Sequence, residues 1–464
     1  MATMSATATI AETREYNVKK AVPVILLLFL LCLVIDNSFK IISVDMAKDF
    51  NISATMVSWQ ATLAGLMIGI GAVVYAALAD TISIKRLFAV GIILICVGSI
   101  LGYIFQHSFI LVVLSRIIQT AGLASAETLY VIFVTKHLPA NEQKKFLGLS
   151  TSSFALSQVI GALTGGYIST YFHWTTLFLV PLITLLFLPY ILKYLPNEER
   201  KSGSIDVVGL VLIAAISASL LLYITDFNFL YLLGFVAAIV LFLLYISKNS
   251  KAFIGISFFK NKQFLSTLAI TFIIYSIQLA YIFLFPFLLE KIYHLKLDTI
   301  SLLLIPGYVL AAVIGALSGK TAKLMGTRQC ITIAMAGITI SLLVGAFFIQ
   351  SSVIVFVISM IIFASSFAFM YAPLIDSCVG TIAKEKSGTA VGFFNLTINV
   401  ACSIGIAYTA AMLDHPSMKG TFLGYINNPN ISLYSNILLV LSIITVCCLT
   451  LYWVLIGRFS NAKN

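Results

Sequence analysis

The chain has 464 residues, 60% of them hydrophobic and only 10% charged, with a mean hydropathy of +1.06. Soluble globular domains carry about 25% charged and 45–50% apolar residues, so this composition excludes a soluble enzyme, a free nucleic-acid-binding domain and a disordered regulator. The formal net charge of +11 then belongs to loops on the cytoplasmic side of a membrane, with no nucleic acid as partner.

Residues 1–20 are small, polar and mixed in charge, and read as a cytoplasmic tail. A secretory signal needs a short apolar core and a small-residue cleavage site. Here the apolar run begins at Ala21 and is long enough to be an uncleaved first span. Each membrane-spanning helix needs about 20 apolar residues to cross about 30 Å of hydrocarbon. Apolar runs between charged or turn-forming breaks predict fourteen: 21–44, 55–78, 86–106, 109–135, 146–170, 175–195, 206–225, 229–247, 264–288, 299–319, 330–350, 352–378, 388–412 and 433–457.

Fourteen is even, so both termini lie on one side, and the basic residues predict which. With the N-terminus cytoplasmic, inner tails and loops hold 22 of the 28 Lys and Arg, against Lys48, Lys291, Lys296 and Lys419 outside. That bias is the positive-inside signature. The predicted fold is an all-α membrane protein: a six-helix bundle over 21–195, two inserted helices over 206–247 and a second six-helix bundle over 264–457. Residues 458–464 form a cytoplasmic tail. Between the insert and the second bundle, 248–263 contains the basic, Phe-rich run Lys251–Lys260, which reads either as an amphipathic helix on the inner leaflet or as a plain loop.

The seven cysteines lie in or at the ends of apolar segments, with no CxxC and no Cys/His cluster. They read as buried free thiols, with no metal site and no resident cofactor.

Charged groups inside a bilayer cost at least about 2.5–3.5 kcal/mol each and mark ion or substrate paths. Four are predicted there: Asp36 and Lys40 in the first span, Arg116 and Glu127 in the fourth. Two pairings compete for Asp36. Arg116 sits at matched depth on the fourth span, and Lys40 follows one helical turn later as an i,i+4 partner. Arg116 and Glu127 are eleven residues apart, three turns plus about 20°, which places them on one face about 16 Å apart. Gln119 falls near the same stripe. Lipid cannot solvate such a face, so it is expected to line a wet cavity. Glu127 is the expected proton carrier, or else a carboxylate bonded to a neighbouring hydroxyl.

In the second bundle Tyr275, Gln278 and Tyr281 stripe the ninth span, Tyr371 lies in the twelfth, and Asn395 and Asn399 are i,i+4 in the thirteenth. They suit a planar, multi-ring, hydrogen-bonding ligand, or serve as glue between helices. Ser157, Gly161 and Gly165 recur every four residues in the fifth span, a small-residue face that lets another helix approach closely.

Three segments in order, Tyr75–Leu87 with Asp80, Lys85 and Arg86, then Leu114–Gly122 with Arg116 and Gln119, then Ser157–Gly166, resemble the loop, R-x-x-Q-G and antiporter motifs of the major facilitator superfamily. Fourteen spans and the surroundings of Asp36, His173-Trp174 and Tyr434-Ser-Asn436 look most like the tetracycline-efflux branch of its fourteen-helix drug:proton antiporters. The resemblance covers nearly the whole chain. It implies a monomeric antiporter in the bacterial plasma membrane, driven by the proton gradient, that exports a small amphipathic drug of the tetracycline type, free or as a divalent-metal chelate. Together with the intramembrane charges and polar stripes above, the expected proton-coupling residues are Asp36, Arg116 and Glu127, and the expected substrate cavity is Gln119, Tyr275, Gln278, Tyr371, Asn395 and Asn399. Asp80, Lys85 and Arg86 form the inner gate, and Ser157, Gly161, Gly165 and Gly166 the motif packing.

The chain departs from the motifs at Ala76, Ser83, Thr120, Ser157 and Ala162. It carries Cys402 where plasmid-type tetracycline pumps have a carboxylate, and Glu127, which those pumps lack, stands in for it. The alternatives are a multidrug or fatty-acid exporter, or a monovalent cation:proton antiporter, of the same fold. No HExxH, GxSxG or clustered His supports an enzyme, and no filter-like segment supports a channel.

Overall fold

The computed structural model describes residues 2–79, 81–196, 206–226, 228–249, 260–380, 382, 387–420, 422–424, 426 and 428–460, and among them there are helices and no strands. Fourteen helices are long and apolar enough to cross a membrane. The first bundle comprises α1 (Ala2–Ile41), α2 (Ser43–Asp49), α3 (Ala54–Leu78), α4 (Ile84–Ile104), α5 (Phe109–His137), α6 (Ala140–Tyr171) and α7 (Leu188–Tyr194). The insert is α8 (Val207–Asp226) and α9 (Phe229–Lys248). The second bundle comprises α10 (Lys262–Tyr293), α11 (Leu297–Met325), α12 (Thr327–Phe347), α13 (Val353–Val379), α14 (Ser387–Asp414) and α15 (Pro429–Ser460).

Helix starts follow from side chains that satisfy the first free backbone N–H groups. Ser53 accepts from Met56 N, Asn228 from Leu230 N, Asn261 from Phe264 N and Ser352 from Ile354 N. Two expected spans differ in detail. The first ends at Ile41, and the short helix α2 follows it. The sixth is α-helical only over α7; before it, Trp174–Phe178 and Val180–Phe187 are tighter 3-10 turns. Pro181 and Pro189 each stand at the start of a new segment, where a residue without an N–H is tolerated and a continuous α ladder is not.

Within the first half α1 packs on α5 and α6, and α5 on α3 and α4; within the second, α10 packs on α14 and α15, and α13 on α11 and α12. The halves meet along two seams, α3 against α14 and α6 against α11. The insert does not enter either bundle. Ile213 of α8 and Phe242 and Ile246 of α9 form a small buried cluster with Val73 of α3 and Leu396 of α14, so α8 and α9 brace the first seam from outside.

Small residues set how close the helices come. A Cβ on Gly161 would lie 2.6 Å from Asn37 Cβ, and one on Gly165 would lie 2.6 Å from the Ser38 carbonyl, both on α1. At Gly166 it would lie 2.0 Å from Ser301 Oγ and 2.6 Å from the Leu297 carbonyl on α11. Adjacent glycines thus serve two interfaces, one inside the first half and one across the seam. Asn37 Nδ2 donates to Ser157 Oγ at 3.2 Å, adding a polar tie between α1 and α6.

The fourteen candidate spans are even in number, and the distal face is the one at which the first span ends and the second begins. Among the described residues, polar ties between the halves gather at the distal face; 197–205 and 250–259 on the other side lie outside them. The Asp414 carboxylate, ending α14, accepts from the N–H groups of Ala54 (3.2 Å) and Thr55 (2.7 Å) at the start of α3. Lys48 pairs with Glu290 at 2.8 Å. Tyr171 donates to Asp298 at 2.9 Å, and Asp298 N donates to Thr170 Oγ1 at 3.2 Å.

Candidate functional site

The charged set lies where α1 meets α5. Asp36 Oδ2 is 2.5 Å from Lys40 Nζ, and Asp36 Oδ1 is 3.8 Å from Arg116 Nη2. The two pairings that compete in the sequence therefore coexist, with Lys40 nearer. Arg116 is enclosed, its side chain 1% exposed, with its guanidinium carbon 4.0 Å from the centre of the Phe39 ring. Nη1 donates to Gln119 Oε1, and Gln119 Nε2 donates to Ser99 Oγ on α4 at 2.8 Å. This chain of bonds, together with the ring, fixes Arg116 inside the bundle wall. Asp36 Oδ1 and Arg116 Nε have no hydrogen-bond partner among the described residues, so Arg116 holds Asp36 as a counter-ion without a formed bond.

Lys40 and Glu127 differ from this enclosed pair. The Lys40 side chain is 21% exposed against 7% for Asp36, and Glu127 also keeps accessible surface. Lys40 stands one residue before the end of α1, yet the Cα–Cβ bond of a helix tilts toward its N-terminus and aims the side chain back into the protein. The helix that carries it, α1, also touches α10 of the other half. The expected stripe on α5 is therefore divided. Glu127 reaches an accessible surface, whereas Arg116 and Gln119, the latter 0% exposed, are parts of the wall.

The second half presents neutral groups. Tyr275 is buried and meets Phe367 edge-on at 5.5 Å between ring centres. Cys402 Sγ faces the Tyr275 carbonyl at 3.4 Å and Gln278 Oε1 at 3.9 Å, which brings α10 and α14 together around three polar atoms. Tyr371 is 40% exposed and packs against Phe394. Tyr281, by contrast, is fully buried and exchanges a 2.8 Å hydrogen bond with Ser359 on α13, as a packing tyrosine does. The Asn399 Nδ2 donates to the Asn395 carbonyl at 3.1 Å. A Cβ on Gly69 would lie 3.0 Å from Asn399 Cβ, so Asn399 stands in the α3–α14 seam. Asn395 is half-buried one turn away.

Of the expected inner gate, Lys85 is half-buried and Arg86 exposed at the start of α4, while Asp80 lies outside the described residues. The basic run 251–260 lies outside them too, except for Lys260.

Several residues at the site give no signal in the sequence. Phe39 and Ser99 complete the Arg116 enclosure. Gln60, fully buried on α3, donates to the Phe39 carbonyl and to Ser43 Oγ, both at 3.1 Å, and so pins the turn between α1 and α2. An uncharged polar residue in an apolar span is too common to stand out; Gln60 becomes informative only when its partners are seen.

The Major Facilitator Superfamily family description matches residues 24–406. The riboflavin transporter RibZ of Clostridioides difficile (strain 630) is 25% identical over 372 residues, covering 78% of this chain and 81% of its own. The quinolone resistance protein NorB of Staphylococcus aureus (strain MRSA252) is 26% identical over 424 residues, covering 86% and 89%. Among solved structures, the nucleoside transporter NupG superposes with a TM-score of 0.67 at 12% identity, covering 95% of this chain and 99% of its own. A D-xylose–proton symporter gives 0.64 at 14%, covering 93% and 97%. The chain is a multi-pass plasma-membrane transporter, not an enzyme, and it belongs to the Major Facilitator Superfamily.

Proposed function

We propose that the protein is a proton-coupled antiporter of the bacterial plasma membrane that exports planar, multi-ring drugs of the tetracycline class from the cytoplasm. The observation that carries this reading is the asymmetry of the site. Four charged groups stand in one half, with Lys40 and Glu127 keeping accessible surface and Asp36 and Arg116 enclosed, whereas the polar groups around Tyr275, Gln278 and Cys402 in the other half are neutral. The first half supplies a carboxylate that exchanges a proton, and the second supplies ring faces and amide groups for a planar ligand.

Alternating access rocks the two bundles about a site between them. The distal-face ties among the described residues support an arrangement closed at that face. With the termini cytoplasmic, as the basic residues favour, this is the state that loads drug from inside. A proton reaching Glu127 and a drug leaving the cavity then use opposite states of one cycle. The names of the two relatives are consistent with a flat polycyclic ligand, since riboflavin and the quinolones are both fused-ring heterocycles. Riboflavin-type transport is the second reading, favoured by the match to RibZ.

Everted membrane vesicles energised with a proton gradient test the proposal. Tetracycline is expected to accumulate, and the accumulation to collapse when the gradient is dissipated. Accumulation of riboflavin but not tetracycline selects the second reading, and uptake indifferent to the gradient overturns proton coupling.

A further inference from the structure

Away from the charged set, the inserted pair α8 and α9 carries a groove of its own, an open cleft of about 510 Å³. That is within the size range of small-molecule sites. Val208 and Leu212, one turn apart, line it from α8; Leu241, Leu244, Tyr245 and Lys248 line it from α9 at the spacing of one helical face. Asn249 stands beside Lys248 at the same end. Val208, Leu241 and Leu244 are exposed, and because α8 and α9 are candidate membrane spans, the medium that meets them is lipid. At the polar end the Asp206 carboxylate accepts from Gly209 N at 2.8 Å and from the Tyr245 hydroxyl, and Asn249 Nδ2 donates to the Tyr245 oxygen at 2.7 Å. Asp206 is thereby engaged, and the exposed Lys248 ammonium is the charged group offered to a ligand. On its inner side the groove reaches the seam between the halves. Leu212 and Tyr245 also pack against the buried cluster that Ile213, Phe242 and Ile246 form with Val73 of α3 and Leu396 of α14.

We propose that this groove binds one anionic diacyl phospholipid, with an acyl chain along Leu212, Leu241 and Leu244 and the phosphate at Lys248. Lys248 stands seven residues, about 10 Å, along α9 from Leu241, so chain and headgroup are met by one helical face. Asp206 and Lys248 lie at the same membrane boundary, because α8 and α9 are joined at their other ends through 227–228. In the orientation that the basic residues favour, that boundary is the cytoplasmic leaflet. A lysine at headgroup depth prefers an anionic lipid to a zwitterionic one. The sequence that follows has the same sign: Lys251, Lys260 and Lys262, with no Asp or Glu between 248 and 262. A lipid seated here packs on the Leu212 and Tyr245 side chains that support the α3–α14 seam, so it becomes part of the brace. The site does not depend on which drug the transporter carries.

The test is photolabelling of the full-length protein in vesicles containing phosphatidylglycerol or phosphatidylcholine with the same diazirine-bearing acyl chain, the labelled peptides being mapped by mass spectrometry. Phosphatidylglycerol is expected to label α8 and α9 beside the groove about fivefold more than phosphatidylcholine, the effect of one lysine at headgroup depth. Lys248→Gln is expected to remove that preference and Lys248→Arg to keep it, which separates charge from folding. Leu244→Trp, which fills the groove, is expected to lower labelling by both lipids here and to leave the other lipid-facing helices unchanged. Equal labelling by the two lipids, a preference untouched by Lys248→Gln, labelling undiminished in Leu244→Trp, or labelling no greater here than on other lipid-facing helices overturns the site. So does loss of the phosphatidylglycerol label on addition of tetracycline, which would make the groove a drug site.

Discussion

Asp36 serves two cations at once, and that makes it the residue whose loss costs most. Asp36→Asn leaves Lys40 and Arg116 without their counter-ion, and stranding a buried charge costs about 3–5 kcal/mol. Thermal unfolding in detergent is expected to show that loss, and transport to disappear. Lys40→Met is expected to cost much less stability because the Asp36–Arg116 pair survives it; a variant as unstable as Asp36→Asn would contradict the arrangement. At this scale the charged residues were legible because charge is rare in an apolar chain. Which cation Asp36 holds was not legible, since helical spacing favoured Lys40 and matched depth favoured Arg116. The neutral partners Phe39, Ser99 and Gln60 were not legible either, because their roles exist only through contacts between helices.

Among the elements, α6 is the one whose glycines serve both an interface within the first half and one between the halves. Its glycines face α1 at Gly161 and Gly165 and α11 at Gly166, so it is held between a helix of its own half and one of the other half. Gly166→Leu drives a side chain into Ser301 and Leu297. Overpacking of this kind costs about 1–3 kcal/mol, and here it falls on the seam that must open and close. The expected result is a folded protein with a lower melting temperature and little transport, checked by thermal unfolding beside vesicle uptake. Wild-type uptake would show that α6 and α11 do not need this approach. Small-residue spacing announced a close-packed helix in the sequence, but not that neighbouring glycines serve different partners. The sixth span shows a different limit. Its apolar run was legible as a crossing, whereas the 3-10 geometry depends on where Pro181 and Pro189 interrupt the backbone ladder, which hydropathy does not register.

For the whole molecule, the fold was legible almost entirely in the count and length of apolar runs, because a bilayer dictates both. The conformation was not, since hydropathy is the same whichever face is closed. Among the described residues the polar ties that join the halves lie at the distal face, and the proposed cycle takes that face as the closed one. Cysteines placed at Thr55 and Asp414 and joined by a bifunctional thiol reagent are expected to hold the distal face shut. Transport should fall by about tenfold or more and return on cleavage of the linker; full activity in the linked protein would contradict alternating access about this seam.

Coupling itself is tested most directly in proteoliposomes holding a pH-sensitive dye, with tetracycline supplied down its gradient through wild-type protein or Glu127→Gln. The account predicts that drug movement through the wild type drives protons the opposite way. It also predicts that Glu127→Gln moves no protons while still binding drug. Proton movement that persists undiminished in Glu127→Gln would contradict it.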